Sequence, residues 1–433
     1  MKRFAGYLIP SLIASVFMSM YAMIDGIFIG QKIGDVGLAA INIVWPITAF
    51  LQAIGTALGL AGGIYIQRKM AEDNLLSATK MKLTVLMLGG ILACLFGLLF
   101  YAVRRPLLQA LGTTEDSFPY AMEYLRIILI GALFQVIGTM LIPLLKNSNK
   151  VKLAAVASMT AIFTNLILDY VMIYCLDMSL MGAALASVLA QIASALVCLT
   201  SYRKELKGIT LKKEELFEIF KMSIAPFILT FSYSIVIMIT NIVCTHIGGD
   251  EAVAAYTLLS YIAYILMAIS CAVGDSLQPL FSFQAAKKEY QKNKKMLSIA
   301  ILISFFTILA FVLLLVILKQ PMGRLYNLSD IAFQYYYEGL LYYLLGGILI
   351  SVFKVIASYL YAIDSKIFAN ILIILEPFVL TPLFLACLAI PLQMTGVWIA
   401  YLFVQICLVG VSLLLLYFEG KKQRKSLEWR EEV

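Results

Sequence analysis

Long apolar runs recur along the whole chain and constrain its fold more than any other feature. The hydrocarbon core of a bilayer is about 30 Å thick, so a helix needs about 20 residues to cross it. Twelve runs are long enough: approximately residues 5–30, 37–65, 82–103, 122–145, 153–175, 182–202, 218–247, 252–283, 296–318, 337–362, 367–390 and 395–418. The connections are each shorter than twenty residues, which leaves no room for a soluble catalytic domain. The pattern predicts an all-α membrane protein with twelve transmembrane helices.

The composition agrees with this prediction. Hydrophobic residues make up 62% of the 433 residues and charged residues only 13%, and the mean hydropathy is +0.94. These values lie outside the range of soluble globular domains. The first residues, MKRFAGYLIPSLIASVF, begin like a signal peptide. Their apolar run is too long for one and has no convincing cleavage site, so we expect the run to be retained as the first helix.

Enzyme motifs are missing from the sequence. It contains no Walker A sequence, no HExxH, no GxSxG and no paired Cys/His motif, which argues against ATP hydrolysis and against catalysis. The seven cysteines are scattered and include no CxxC pair, so neither a disulfide framework nor a metal centre is predicted. We expect a protein that is not an enzyme and holds no cofactor.

Basic residues indicate the orientation in the membrane, because lysine and arginine are enriched in cytoplasmic loops. If the N terminus is cytoplasmic, most of the 33 lysines and arginines fall on that side. Five fall on the other side, namely Lys32, Arg104, Arg105, Lys319 and Arg324. We therefore expect both termini in the cytoplasm and a multi-pass protein of the inner (plasma) membrane. The net charge of +8 then reflects topology and attraction to anionic lipid, and not nucleic-acid binding.

The two halves of the chain resemble each other. IGDVGLAA after the first span is echoed by GGDEAVAA after the seventh, and GAALASVLAQI by GVWIAYLFVQI, at offsets close to half the length. Six spans per half place the repeats in parallel, as in some secondary transporters with a pathway between lobes. We predict a six-helix lobe over 1–206, a cytoplasmic linker over 207–217, a second lobe over 218–420 and a basic tail over 421–433. Duplication that only builds a stable bundle is the alternative.

Two aspartates lie inside the spans of the first half. A charged side chain at the bilayer centre costs about 3 kcal/mol on insertion scales, so such residues face a bundle interior or water. Asp25 and Asp169 both fall in the outer half of the membrane and have Tyr21 and Asn165 one turn earlier on the same helix face. No basic residue is expected at their depth. We predict a site for reversible protonation or sodium binding, and further polar residues at this level are Asn42, Gln135, Ser187 and Gln191.

Three more charged residues lie inside spans of the second half. Asp275, Lys354 and Glu376 fall at similar depth in the inner half of the membrane. A lysine supplies the counter-charge that a mobile cation would otherwise provide, so we expect mainly a structural ion pair. The alternatives are a second ion-coupling site and a polar cluster on the substrate pathway.

Several of these motifs resemble the multidrug and toxic compound extrusion (MATE) family, prokaryotic branch. They are YAMIDGIFIGQKIGDVGLAAINIVWPI around Asp25, NLILDY leading to GAALAS, and GDSLQPLFSFQAAKK at the end of the eighth span. The resemblance implies a V-shaped pair of six-helix lobes that exports organic cations in exchange for protons or sodium. It also implies that Asp25, Tyr21, Asn165 and Asp169 form the cation-coupling site, with Ser187 at a position often occupied by a hydroxyl residue. Family members with a coupling site in the second lobe carry acids in spans 7 and 10, whereas this chain has Lys354 in span 10.

The leading hypothesis is therefore a secondary antiporter for amphipathic organic cations that works by alternating access. Its coupling ion is a proton or sodium, and the only metal ion expected is sodium at Asp25 and Asp169. Membrane lipid surrounds it, nucleic acid is not a partner, and a monomer is expected. The alternative is a flippase for a lipid-linked precursor, although such flippases commonly have additional spans and a cationic cavity. A receptor or enzyme is disfavoured by the repeat and by the missing catalytic motifs.

Overall fold

The computed structural model describes residues 2–71, 75–148, 150–201 and 213–431. These residues form helices joined by short turns, and no β-strand occurs among them. The helices are α1 Lys2–Ile33, α2 Asp35–Ala71, α3 Leu75–Ala102, α4 Arg104–Ala110, α5 Ser117–Ile130, α6 Ala132–Asn147, α7 Val151–Asp169, α8 Ser179–Leu199, α9 Lys213–Ala286, α10 Tyr290–Leu325, α11 Asp330–Ala362, α12 Lys366–Leu375 and α13 Thr381–Glu431. Two π-helical turns follow α7 and α12, over Tyr170–Cys175 and Glu376–Leu380. The predicted all-α class is confirmed.

The predicted number of spans is also confirmed. Eight described segments are long and apolar enough to cross a bilayer. Two of them contain a break and supply two spans each: α9 breaks at Gly248 and Gly249, and α13 breaks at Gln393. Gly249 has φ 64, a left-handed conformation that glycine adopts without the steric cost of a Cβ. With α1 and the bent pair α5 and α6, the helices account for twelve spans.

The fourth span is bent, which the continuous apolar run over 122–145 does not reveal. Helices α5 and α6 meet at 62° across Gly131, which leaves the helical conformation. A Cβ at this position would collide with the side chain of Val188 in α8. The bend therefore occurs where a residue without a side chain lets α8 approach.

The chain forms two compact units. One contains residues 24–245, and the other contains residues 1–23 and 246–433. The lobe, linker and tail boundaries drawn from the sequence remain predictions, and residues 202–212 of the linker region and 432–433 of the tail lie outside the described residues.

Small residues bring helices together in the unit of residues 24–245. Gly55 and Gly59 of α2 lie against α6, where an added Cβ would collide with the backbone carbonyl oxygens of Val136 and Met140. Close approach through small residues is how helices associate in a bilayer, where the hydrophobic effect does not drive them together. The two glycines therefore let α2 and α6 pack in close contact.

In the unit of residues 1–23 and 246–433, α11 presents a glycine face to α13. A Cβ on Gly339 would meet Trp398, and one on Gly346 would collide with Tyr401. The aromatic rings fill the space that the glycines leave. Trp398 is fully buried as a result.

Large apolar side chains are exposed on the outside of these helices. On α7, Val156, Met159, Phe163 and Ile167 form a stripe at helical spacing, with exposures of 47% to 59%. Soluble proteins rarely expose continuous apolar surface of this kind. The exposed stripes fit a multi-pass membrane protein whose outer surface contacts lipid.

Candidate functional site

The structure brings Asp25 and Asp169 together within the unit of residues 24–245. Asp25 lies on α1 and Asp169 is the last residue of α7, and their carboxyl groups hydrogen-bond to each other. One carboxyl must donate a proton to the other in such a contact. Asp169 is 1% exposed, and the second oxygen of Asp25, Oδ1, is buried with no hydrogen-bond partner among the described residues.

The backbone beside Asp169 has an unusual geometry. The π-helical turn Tyr170–Cys175 begins directly after it. Isolated π-helical turns inside α-helices occur often at functional sites, because the wider turn redirects the neighbouring side chains. Here the turn directs two tyrosines, Tyr170 and Tyr174, toward Phe28 of α1, with ring centroids 6.4 and 5.5 Å away.

Asn165 and Ser187, two more residues predicted for this site, are in contact with each other. Asn165 is one turn before Asp169, is 1% exposed and donates a hydrogen bond from Nδ2 to Ser187 Oγ at 3.4 Å. This contact joins α7 to α8. The side chain of Tyr21, the fifth residue predicted for this site, lies outside the described residues.

A group of contacts that the sequence analysis did not find holds the end of α1 against the end of α7. Lys32 Nζ pairs with Asp177 Oδ1 at 2.6 Å, and Tyr174 donates a hydrogen bond to Gln31 Oε1 at 2.6 Å. We call these four residues, together with Phe28, the α1 clamp. They lie three to eight residues beyond Asp25 or Asp169 along the chain, so they hold together the two segments that carry the carboxyl pair.

The other polar residues predicted for this half are used in contacts between helices. Asn42 of α2 donates a hydrogen bond from Nδ2 to Asn241 Oδ1 on α9, and Asn241 Nδ2 donates to the Asn42 backbone oxygen. Gln135 accepts a hydrogen bond from Gln52 Nε2 at 3.4 Å. Gln191 of α8 packs against α6, where an added Cβ on Gly138 would collide with it.

The three charged residues of the second half also share one region. Lys354 Nζ lies 3.6 Å from Glu376 Oε2. Asp275 does not join this ion pair and accepts a hydrogen bond from Ser358 Oγ at 3.1 Å. Lys354 therefore neutralises Glu376, and the Ser358 hydroxyl donates a hydrogen bond to Asp275.

Among the described residues, no group of three histidine, cysteine, aspartate or glutamate side chains is placed to hold a metal ion. A divalent transition metal requires about four such ligands. Two carboxyl groups in contact suit a proton, or a monovalent cation bound by oxygen atoms.

A model of the MatE family matches residues 10–171 and 226–380. The Multidrug export protein MepA of Staphylococcus saprophyticus is 22% identical over 314 residues, which cover 70% of this chain and 69% of the relative. MepA of Staphylococcus aureus is 23% identical over 293 residues, which cover 65% of this chain and 64% of the relative. The chain thus spans about two thirds of the length of these curated relatives.

Solved structures show the same fold. A multidrug resistance MATE family transporter in an inward-facing conformation superposes with a TM-score of 0.83 at 20% identity, covering 96% of this chain and 98% of that chain. Such a transporter in an outward-facing conformation gives a TM-score of 0.72 at 20% identity, with coverage of 98% and 97%. Since the family model matches well over half of the residues, this protein belongs to the MATE family, whose members are membrane transporters and not enzymes.

Proposed function

We propose that this protein is a secondary antiporter that exports amphipathic organic cations in exchange for protons or sodium ions by alternating access. The observation that carries the proposal is the pair of hydrogen-bonded carboxyl groups of Asp25 and Asp169, with Asp169 almost fully buried. The names of the relatives, multidrug export proteins, support the substrate class.

The chemistry of the pair explains why its occupancy changes. Two unit negative charges 4 Å apart repel each other by about 4 kcal/mol at an effective dielectric of 20. Once the shared proton leaves, the two carboxylates therefore need another proton or a sodium ion between them. Asp25 and Asp169 hold the coupling ion in this mechanism, and its arrival and departure change the charge of the site by one unit.

The neighbouring oxygens fit either ion. Hard cations prefer oxygen ligands, and Asp25 Oδ1 is a buried oxygen with no hydrogen-bond partner among the described residues. The Ser187 hydroxyl and the Asn165 amide oxygen are the next candidates, because Asn165 lies one turn before Asp169 on α7 and contacts Ser187. Tyr21 completes the proposed site.

The available energy is sufficient for export. A unit charge that crosses 100 mV gains about 2.3 kcal/mol. Since 1.4 kcal/mol corresponds to a factor of ten, each net positive charge that moves inward per cycle supports a concentration ratio of about fifty. A one-for-one exchange of monovalent cations moves no net charge and is driven by the concentration gradient of the coupling ion. A chain without a nucleotide-binding motif can therefore drive multidrug export.

The proposal includes the topology drawn from the sequence. Both termini face the cytoplasm, the protein is a monomer in the plasma membrane, and residues 1–206 and 218–420 form the two lobes. Cysteine labelling from either side of sealed vesicles tests the orientation.

The test is ethidium export in proteoliposomes, with pH and sodium gradients imposed independently. Wild-type protein should export ethidium under at least one of the two gradients, and Asp25→Asn and Asp169→Asn should each abolish gradient-driven export. Asp116→Asn is the matched control, because Asp116 is exposed and its variant should transport normally. Full gradient-driven export by Asp25→Asn would contradict the proposal.

A further inference from the structure

Four helical segments bring polar side chains together in the unit of residues 1–23 and 246–433. Asp275 lies on α9, Lys354 and Ser358 on α11, Glu376 at the second π-helical turn and Gln405 on α13. We call these five residues the C-terminal polar cluster. Lys354 and Ser358 are one turn apart on α11; Lys354 pairs with Glu376 and Ser358 donates a hydrogen bond to Asp275. These contacts bring the three charged residues into one region.

The charges of the cluster do not balance. Lys354 and Glu376 form an ion pair at 3.6 Å, and their side chains are only 19% and 13% exposed. Asp275 is exposed, and its one hydrogen-bond partner among the described residues is the neutral Ser358 hydroxyl. With both acids ionised, the cluster carries one excess negative charge, and that charge is accessible on Asp275.

Buried polar atoms beside the ion pair lack partners. Gln405 is 1% exposed and donates from Nε2 to Glu376 Oε1 at 3.3 Å, but its Oε1 has no hydrogen-bond partner among the described residues. The hydroxyl group of Tyr401, one turn earlier on α13, likewise has none there. A buried polar atom left without a partner loses its hydrogen bonds to water without replacement, which is unfavourable. Both atoms can accept a hydrogen bond, which is what a ligand with N–H groups would offer.

Packing holds the Tyr401 side chain in place before any ligand binds. The Tyr401 ring stacks on that of Tyr343 with centroids 4.0 Å apart and planes at 1°. Gly346 leaves the space for Tyr401. Glu376 begins a π-helical turn, just as Asp169 precedes one, and such turns recur at functional sites.

We propose that the C-terminal polar cluster binds the positively charged group of the exported organic cation. Asp275 supplies the accessible negative charge, and Gln405 and Tyr401 accept hydrogen bonds from the ligand or its bound water. Lys354 is a tethered cation that neutralises Glu376 and repels the ligand, so it limits affinity. This assignment rests on the proposed function, because it names the binding site of that transporter's substrate.

The test measures binding and not transport, so it does not depend on ion coupling. Ethidium binds to purified full-length protein in nanodiscs, with no gradient present, and its fluorescence gives the Kd. Asp275→Asn should raise the Kd at least about tenfold, since loss of a charged partner costs about 1.5 to 3 kcal/mol and 1.4 kcal/mol corresponds to tenfold. Lys354→Gln should lower the Kd severalfold, because it removes a like charge.

Matched controls come from an exposed ion pair of the same two residue types. Asp364 and Lys366 lie 2.8 Å apart with side chains 82% and 66% exposed, so Asp364→Asn and Lys366→Gln should leave the Kd unchanged. A neutral probe, Nile red, should bind Asp275→Asn as it binds the wild type.

A second variant keeps the test valid if Lys354→Gln does not fold. Lys354→Gln/Glu376→Gln removes both members of the ion pair, and adding Asp275→Asn to it should again raise the Kd about tenfold. Wild-type affinity of Asp275→Asn, or weaker ethidium binding by folded Lys354→Gln, would overturn the assignment. These outcomes differ from a failure of the proposed function, which would leave the binding changes intact while gradients fail to drive export.

Discussion

The reciprocal contact between Asn42 and Asn241 gives a prediction whose size follows from the structure. Asn42 Nδ2 donates to Asn241 Oδ1 at 2.9 Å, and Asn241 Nδ2 donates to the Asn42 backbone oxygen at 2.8 Å. The residues are 3% and 1% exposed, so water does not replace the lost bonds. Asn241→Leu removes both bonds while keeping a side chain of similar size.

Two estimates bracket the effect on the free energy of unfolding. Hydrogen bonds between membrane helices average about 0.6 kcal/mol, with a maximum of about 1.7, so two bonds contribute about 1 to 3 kcal/mol. Orphaned buried groups in soluble proteins cost about 1 to 3 kcal/mol each. We expect Asn241→Leu to destabilise the protein by about 2 kcal/mol. Asn42→Leu/Asn241→Leu should recover part of this loss, because it leaves no orphaned amide.

The assay is reversible unfolding of purified protein in mixed micelles by increasing mole fractions of dodecyl sulfate. A double-mutant cycle isolates the coupling between the two residues, and we expect about 1 kcal/mol or more. Asn370→Leu is the control, since Asn370 is exposed and accepts a single hydrogen bond from Tyr361. A coupling energy near zero would refute the reasoning that buried amide pairs stabilise this unit.

Three further results are expected. Lys32→Asp should slow gradient-driven ethidium export by up to about fivefold and shift its pH dependence, because it breaks an exposed ion pair worth about 0.2 to 1 kcal/mol. The charge-reversed Lys32→Asp/Asp177→Lys should restore the wild-type pH profile. Failure of this rescue would exclude the pair as a positioning contact. Gly59→Ala should destabilise by about 1 to 3 kcal/mol in the same micelle assay, because its Cβ would collide with the α6 backbone. Gly410→Ala should be neutral or stabilising by up to about 1 kcal/mol, because nothing lies within 4 Å of its Cβ; equal effects of the two glycine variants would contradict the packing argument.

The apolar runs are sufficient to predict the helices, because spanning a bilayer imposes both length and composition. They do not reveal how helices bend or break. Gly131 ends a helical segment where the neighbouring helix α8 requires glycine, and Gly249 ends one where a left-handed conformation requires it. The hydrophobic pattern of the sequence is the same with or without these breaks. The π-helical turn after Asp169 is equally invisible, since α and π helices share one hydrophobic pattern.

The contact between Asp25 and Asp169 follows from their depth in the membrane, which can be counted along the sequence. The side chains that surround the two aspartates cannot be predicted from depth alone. Tyr174 and Gln31 are 143 positions apart, and nothing in either local pattern marks them as partners. The sequence places Lys32 only on the outer side of the membrane, because a lysine at the end of a span usually acts as a topological signal.

Charged residues of the second half illustrate the same limit. Pairing of Lys354 with an acid follows from the cost of burying an unpaired charge, but the choice between Asp275 and Glu376 depends on helix rotation. Ser358 lies one turn from Lys354. A serine in an apolar run does not indicate from the sequence that its hydroxyl donates a hydrogen bond to a carboxylate.

The central claim is that Asp25 and Asp169 carry the ion that is exchanged for the organic cation. The most direct measurement uses proteoliposomes with an ethidium gradient and no ion gradient, with an indicator for protons or sodium on the trans side. Wild-type protein should move one of these ions against the ethidium flow, and Asp25→Asn should move neither. Ion counterflow of wild-type size in the Asp25→Asn variant would contradict the account.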